Sequence, residues 1–331
     1  MSTPATRLEL RVGRQLAQIS SDIEAMSPDQ CRTVVDIYYE IQRLRIAANA
    51  QHESSEVPVR PLASVATLMR MNEDGLQSIL GAFAKRHREG RWALSQCGIG
   101  PVITAGLLAH IKPERAPTAG ALWRFAGLDP GQEWLGTEKA RKAVVELLGR
   151  SSGAVTVEEV ASVVEALKGR LNTYLFWMTK KGGKAPTMTV ASLCAAAARR
   201  PHNASLKRLA WLVGESFVKV SGNENAFYGR LWAERKAYET AQNEEGAYAA
   251  EAARLLAEKN YGDSETRRAM EGGKLSKGHT HARSKRWTVK LFLSHYWQVA
   301  REVHGLPILR PWVIEHGGHQ DYVPPPSWPC E

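Results

Sequence analysis

Cysteine is scarce and scattered in this chain: Cys31, Cys97, Cys194 and Cys330 form no C-x-x-C pair. That excludes a disulfide framework and a zinc knuckle, and a reducing, cytoplasmic setting is expected. No apolar run approaches the length of a membrane span, and the start, Met1-Ser2-Thr3-Pro4, is polar. Neither a transmembrane helix nor a signal peptide is expected, and no membrane partner. A Walker loop, a Rossmann fingerprint and a G-x-S-x-G elbow are missing, so no cofactor is expected. His279-x-His281 and His316-x-x-His319, with Asp321 nearby, lack the spacing of a standard zinc site and lie in glycine-rich stretches, so no metal is expected either. The carboxylate pairs Glu158-Glu159 and Glu244-Glu245 read as first-turn helix residues complementing the dipole. Finally, nothing alternates convincingly as a sheet.

Positive charge, by contrast, is abundant. The 331 residues carry 44 Lys and Arg against 34 Asp and Glu, a net charge of +10, which favours a polyanionic partner through counterion release. The chain is organised around residues 92–111, a short helix, a glycine hairpin and a second helix. Gly98 and Gly100 can take φ > 0, and Pro101 suits the first position of a helix. Val102, Ala105, Leu108 and Ile111 then recur on one helical face. Such a hairpin turns backbone N–H groups outward at a helix N-terminus, where a phosphate oxygen can be bound without reading sequence. The basic run 85–91 lies directly ahead of it, where a phosphate backbone would pass.

The rest is helical in pattern, and five segments are expected: 1–75, a helical N-terminal region; 76–136, the hairpin core; 137–200, a helical insertion; 201–304, a further helical part; and 305–331, an extended proline-rich tail. Residues 7–26 are helix-like. Ser27 with Gln30 forms a capping box for a helix to about Gln51, and Thr156 with Glu159 forms another. The two N-terminal helices could make an antiparallel pair or the seam of a homo-oligomer. Lys180-Lys181-Gly182-Gly183-Lys184 reads as a basic connection. Asn203 caps a helix to about 220, residues 226–260 read as one long helix, 262–280 as a mobile loop, and 283–303 as the last helix. The fold class is therefore all-α.

Cys97-Gly98-Ile99-Gly100-Pro101-Val102, followed by Leu122-Trp123-Arg124-Phe125-Ala126-Gly127-Leu128-Asp129-Pro130, resembles the C-terminal domain of an insertion-sequence transposase family, the one numbered one hundred and ten. Asn203-Ala204-Ser205-Leu206-Lys207-Arg208 and Phe227-Tyr228-Gly229-Arg230-Leu231 continue the match, and His281-Ala282-Arg283 is a weaker part of it. The resemblance implies a helix-hairpin-helix that binds DNA, a role in transposition or recombination, and a guide RNA or a separate nuclease as further partners. Two features depart from the family. Its members begin with a RuvC-like domain carrying four carboxylates, whereas residues 1–80 here read as helical. They also place a nucleophilic serine after the G-L-x-P turn, where this chain has Gln132-Glu133-Trp134-Leu135-Gly136, without a hydroxyl.

Three readings stay open. The first is a serine transposase using Ser151 or Ser152 displaced by a local insertion, with Lys139, Arg141 and Lys142 flanking the phosphate. The second is a catalytically silent DNA- or RNA-binding protein, and the third a helical scaffold. The expected nucleic-acid contacts are Gly98, Ile99, Gly100, Pro101, Thr104, Lys112, Lys207, Arg208, Arg283, Lys285 and Arg286.

Overall fold

The computed structural model describes residues 21–54, 60–167, 188–309 and 322–329, and within them the chain is all-α. Residues 7–20 of the helix expected over 7–26, the basic connection 180–184 and the His316, His319 and Asp321 group lie outside the described residues, while 21–25 are helical. Two compact units are present, one formed by Met1–Pro117 with Leu212–Glu331 and the other by Thr118–Trp211.

In the first unit, α1 (Pro28–Ser54) and α2 (Arg60–Arg86) are long and antiparallel. The Ser27–Gln30 capping box forms as expected: Gln30 N–H donates to Ser27 Oγ at 3.3 Å and Ser27 N–H to Gln30 Oε1 at 2.7 Å. Between the two helices Arg45 forks onto the buried Glu73 at 2.5 and 3.3 Å. Against this pair lie α3 (Arg88–Ser95) and α4 (Pro101–His110). Cys31 Sγ–H donates to the carbonyl of Ala105 and Arg32 Nε–H to that of Ala109, 3.0 Å away, so α1 is held along α4. Burial pushes the Cys31 thiol up to about 12, which makes it inert.

The unit's core is aromatic. Trp92, fully buried, stacks on Phe292 with centroids 5.8 Å apart, and Phe217 and Tyr228 pack edge-on to the same ring at 5.4 and 5.2 Å. Residues 200 positions apart in sequence thus meet in one cluster. The last helix bears on the rest through Arg301, whose guanidinium donates to the carbonyls of Pro113, Ala116 and Pro307, and through Trp297, which donates to Ala116 at 2.7 Å. Residues 322–329 carry a turn at 326–327 and are pinned back onto this body. The Pro326 carbonyl accepts from the Trp92 indole at 2.9 Å and the Val323 carbonyl accepts from His295 at 2.8 Å.

The second unit holds α5 (Ala119–Phe125), α6 (Gly136–Leu148), α7 (Val157–Ala166) and α8 (Val190–Ala197). One small antiparallel ladder, Ala154–Val155 against Met188–Thr189, escaped the sequence because two residues per strand show no alternation. Val144, Val163, Leu193 and Ala197 form the core. The Thr156–Glu159 capping box starts α7, and Arg150 forks onto the same Glu159 at 2.5 and 2.7 Å while donating to Ala154 O at 2.8 Å. Residues 150–159 are therefore tied into a closed turn.

Helix α9 (Ala204–Lys219) begins at the expected cap, Leu206 N–H donating to Asn203 Oδ1 at 2.9 Å. The expected long helix over 226–260 is two, α10 (Phe227–Glu244) and α11 (Ala249–Glu258), separated at Gly246 with φ +83°. Glu244 and Glu245 consequently close a helix rather than open one. The expected loop over 262–280 is largely helical: α12 (Glu265–Glu271) is capped by Ser264, and α13 runs from Lys277 to Val303. Its order comes from Met270 and Leu275 packing on Ala252, and from the Asn243 side chain bonding both the N–H and the C=O of Leu275.

Candidate nucleic-acid interface

The turn between α3 and α4 is built in two halves with opposite duties. Its first half faces inward: Gly98, at φ +93°, is so close to α9 that a Cβ would sit 3.2 Å from both Ser216 Oγ and Val220 Cγ2, and the Ser216 hydroxyl donates to the Gly98 carbonyl. Ile99 is buried beside it. The second half is open at Gly100. Gly100 is the N-cap of α4, with φ −94° and ψ 176°, and a Cβ there would meet nothing within 4 Å. Pro101 follows at the first helical position, packed 3.5 Å from where a Gly81 Cβ would lie. The first-turn amides of Val102 and Ile103 have no acceptor within the helix, and Gly100 has no side chain to supply one.

Several expected contacts are placed elsewhere. Thr104 is fully buried with its hydroxyl unpartnered, so it cannot reach a ligand; α4 is apolar nearly all round, and the sequence alone does not show that its polar residue faces inward. Lys112 is exposed but lies beyond the opposite end of α4, about 15 Å from the turn at 1.5 Å per residue. Arg283 is taken up internally, donating to Glu239 at 2.8 Å and Glu251 at 3.0 Å and lying 4.4 Å from the Tyr248 ring centroid. Lys285 pairs with Glu215, its stem laid across Gly214. Of these three only Arg286 is exposed. Lys207 and Arg208 are exposed on α9 in the second unit.

Within the second unit the structure brings Ser151 together with Arg141 and Lys142. They line two adjoining clefts beside α6, the larger of about 340 Å³. Ser152 lies in the same turn but outside the lining, and Lys139 is exposed on α6 without entering it. Thr137, Arg141 and Val145 form one wall at i, i+4 and i+8, while Ala191, Cys194 and Ala195 of α8 form the other. Neither Thr137 nor the α8 wall was among the expected site residues. Their signal was the spacing of small residues in an alanine-rich helix, which leaves room where larger side chains would fill it. The segment without a hydroxyl has a structural duty: Trp134 donates to Ala198 O at 2.9 Å, and Gln132 to Pro201 O at 3.0 Å.

Among the described residues no strand precedes Ala154, no helix is long and apolar enough to cross a membrane, and no group of three or more His, Cys, Asp or Glu is placed to hold a metal. Comparison with curated proteins and with solved structures finds no match. Residues 91–146, which contain most of α3, the whole turn, α4, α5 and most of α6, match the Transposase IS116/IS110/IS902 family, and the chain is transposase-like over that segment.

Proposed function

We propose that this chain is a transposase-like DNA-binding protein, acting in transposition or recombination, whose α3–α4 turn functions as a helix-hairpin-helix and takes a backbone phosphate on the amides that open α4. The observation that carries this reading is Gly100: an N-cap with no side chain and open space in front of it, in a turn otherwise packed from behind. The family match over the same residues and the net charge of +10 support it.

The turn's two glycines dictate the test. Gly98→Val would strain a positive φ against α9, so it reports on folding. Gly100→Asp places a carboxylate where the phosphate would sit, and aspartate is itself a favourable N-cap. It is expected to leave thermal stability unchanged or raised while weakening duplex binding about tenfold, with Gly100→Ala binding as the parent does. Titrations at several salt concentrations should give a log–log slope of about −0.9 per phosphate neutralised. Equal affinity in Gly100→Asp would place the contact elsewhere. Running the series with RNA tests the guide-RNA partner, whose preference over duplex DNA would favour the silent RNA-binding reading.

Self-association through the N-terminal helices is part of the same proposal. Ile37 and Leu44 of α1 and Leu68 and Met71 of α2 are between 46% and 66% exposed, an apolar burden unusual on paired surface helices. Sedimentation is expected to show an oligomer that Leu68→Glu with Met71→Glu reduces to a monomer. A monomeric parent would end that part of the proposal.

A further inference from the structure

We infer that the cleft between α6 and α8 holds one nucleotide unit of a nucleic-acid strand, its phosphate on Arg141, Lys142 and Ser151 and its less polar part against the α8 wall. The inference rests on nucleic acid being the partner, but it concerns a site in the second unit and involves no residue of the α3–α4 turn.

The cleft is graded in chemistry. Arg141 and Lys142 are exposed cations at one side, and the Ser151 and Thr137 hydroxyls can donate to an oxyanion from the same surface. On the α8 side Ala191 and Ala195 present only methyl groups, and Val145 adds an apolar side chain to the α6 wall. The part bounded by α8 holds about 340 Å³ and adjoins a smaller part of about 240 Å³ that Lys142 and Glu138 line, the two sharing Arg141, Val145 and Ser151. The larger part is at the lower end of small-molecule sites, enough for a mononucleotide and too little for a duplex. Ser151 follows Arg150, whose guanidinium donates to Glu159 and to the Ala154 carbonyl and so ties the start of this turn to α7. Glu138, one helical turn before Arg141 and Lys142, also lines the cleft; it offsets one of the two positive charges and sets a modest affinity.

Cys194 supplies a local reporter. Its thiol lines the cleft, is partly exposed, and is held above the usual thiol range by burial while Arg141 pulls it down. In a chain with Cys97→Ser and Cys330→Ser, and Cys31 buried, a small maleimide at mildly alkaline pH reads Cys194. A single-stranded DNA 16-mer is expected to slow its labelling at least fivefold, dAMP to do so only at much higher concentration, and sodium chloride at matched ionic strength not at all. Arg141→Gln should abolish protection, Lys139→Gln should leave it, and Glu138→Gln should strengthen it. Because Arg141 also tunes the thiol, each variant is scored as the ratio of rates with and without the strand. Protection by the strand must persist in Gly100→Asp at saturating concentration, which separates this cleft from the turn. Absence of protection, protection that survives Arg141→Gln, or protection by dAMP as strong as by the strand would overturn the inference.

Discussion

Gly90→Ala is expected to cost about 3 kcal/mol of stability and to remove nucleic-acid binding with it. Gly90 is buried in the first turn of α3, where that helix passes over the end of α2. A Cβ there would fall 2.1 Å from the Ala84 carbonyl oxygen and 3.0 Å from Leu108 Cδ1. The leucine methyl can swing away, but the carbonyl belongs to the last turn of a helix and cannot. Relief requires α3 to lift off α2, which withdraws Trp92 from its stack on Phe292 and moves the turn that α3 carries. Gly75→Ala is the paired control. It sits mid-helix in α2 with nothing within 4 Å and should raise stability by up to about 1 kcal/mol. Thermal melts of the two variants should therefore shift in opposite directions, and a Gly90→Ala protein melting with the parent would refute the packing account.

Acidification is expected to weaken the fold through His295. The ring lies 2% exposed between two partners, the Tyr228 hydroxyl at 2.7 Å and the Val323 carbonyl at 2.8 Å. A carbonyl only accepts, so Nε2 carries the proton and Nδ1 accepts from the tyrosine. Burial holds this imidazole down to about 4, against a partial upward pull from the Val323 carbonyl. In the unfolded chain the group titrates near 6.5. Between those values the unfolded state binds a proton that the folded state refuses. Stability is therefore full above about pH 6.5 and is lost as pH falls through 4, by about 3 kcal/mol if the two values are that far apart. Denaturant unfolding at pH 7 and pH 4.5 should show this loss in the parent and a smaller one in His295→Gln. Burial also lowers His87, His110, His202 and His281, so a residual slope should remain in the variant. Equal slopes in the two proteins would remove His295 from the account.

Local signals carried much of the fold. Capping boxes at Ser27 and Thr156, the Asn203 cap and the stop at Gly127 each depend on residues within four positions of one another, and each forms. What escaped was non-local. Arg283 and Lys285 looked open to a ligand because their neighbours in sequence are basic, yet Glu215, Glu239 and Glu251, which take them up, stand 32 to 70 positions away. Glu239 itself is buried. Burial alone would raise its pKa, but Tyr248, Arg235 and Arg283 donate to it and hold it below the usual carboxylate range. Residues 262–280 are poor in apolar side chains, and the two that matter, Met270 and Leu275, find their partner only after the chain reverses. For the candidate sites, the open N-cap was legible as Gly-x-Gly-Pro. The α8 wall was not, because small residues at i, i+3 and i+4, here Ala191, Cys194 and Ala195, read equally well as close packing.

The paired glycines of the α3–α4 turn also bear on how this segment can diverge. Position 98 answers to folding, since α9 stands against it whatever the protein does, whereas nothing in the structure compels glycine at position 100. A lineage that stopped holding phosphate would keep the first and be free to drift at the second. Descendants with Gly98 beside an aspartate, serine or threonine at 100 would then mark proteins that retained the scaffold and surrendered the ligand, and a census of that one codon would separate binders from their silent kin.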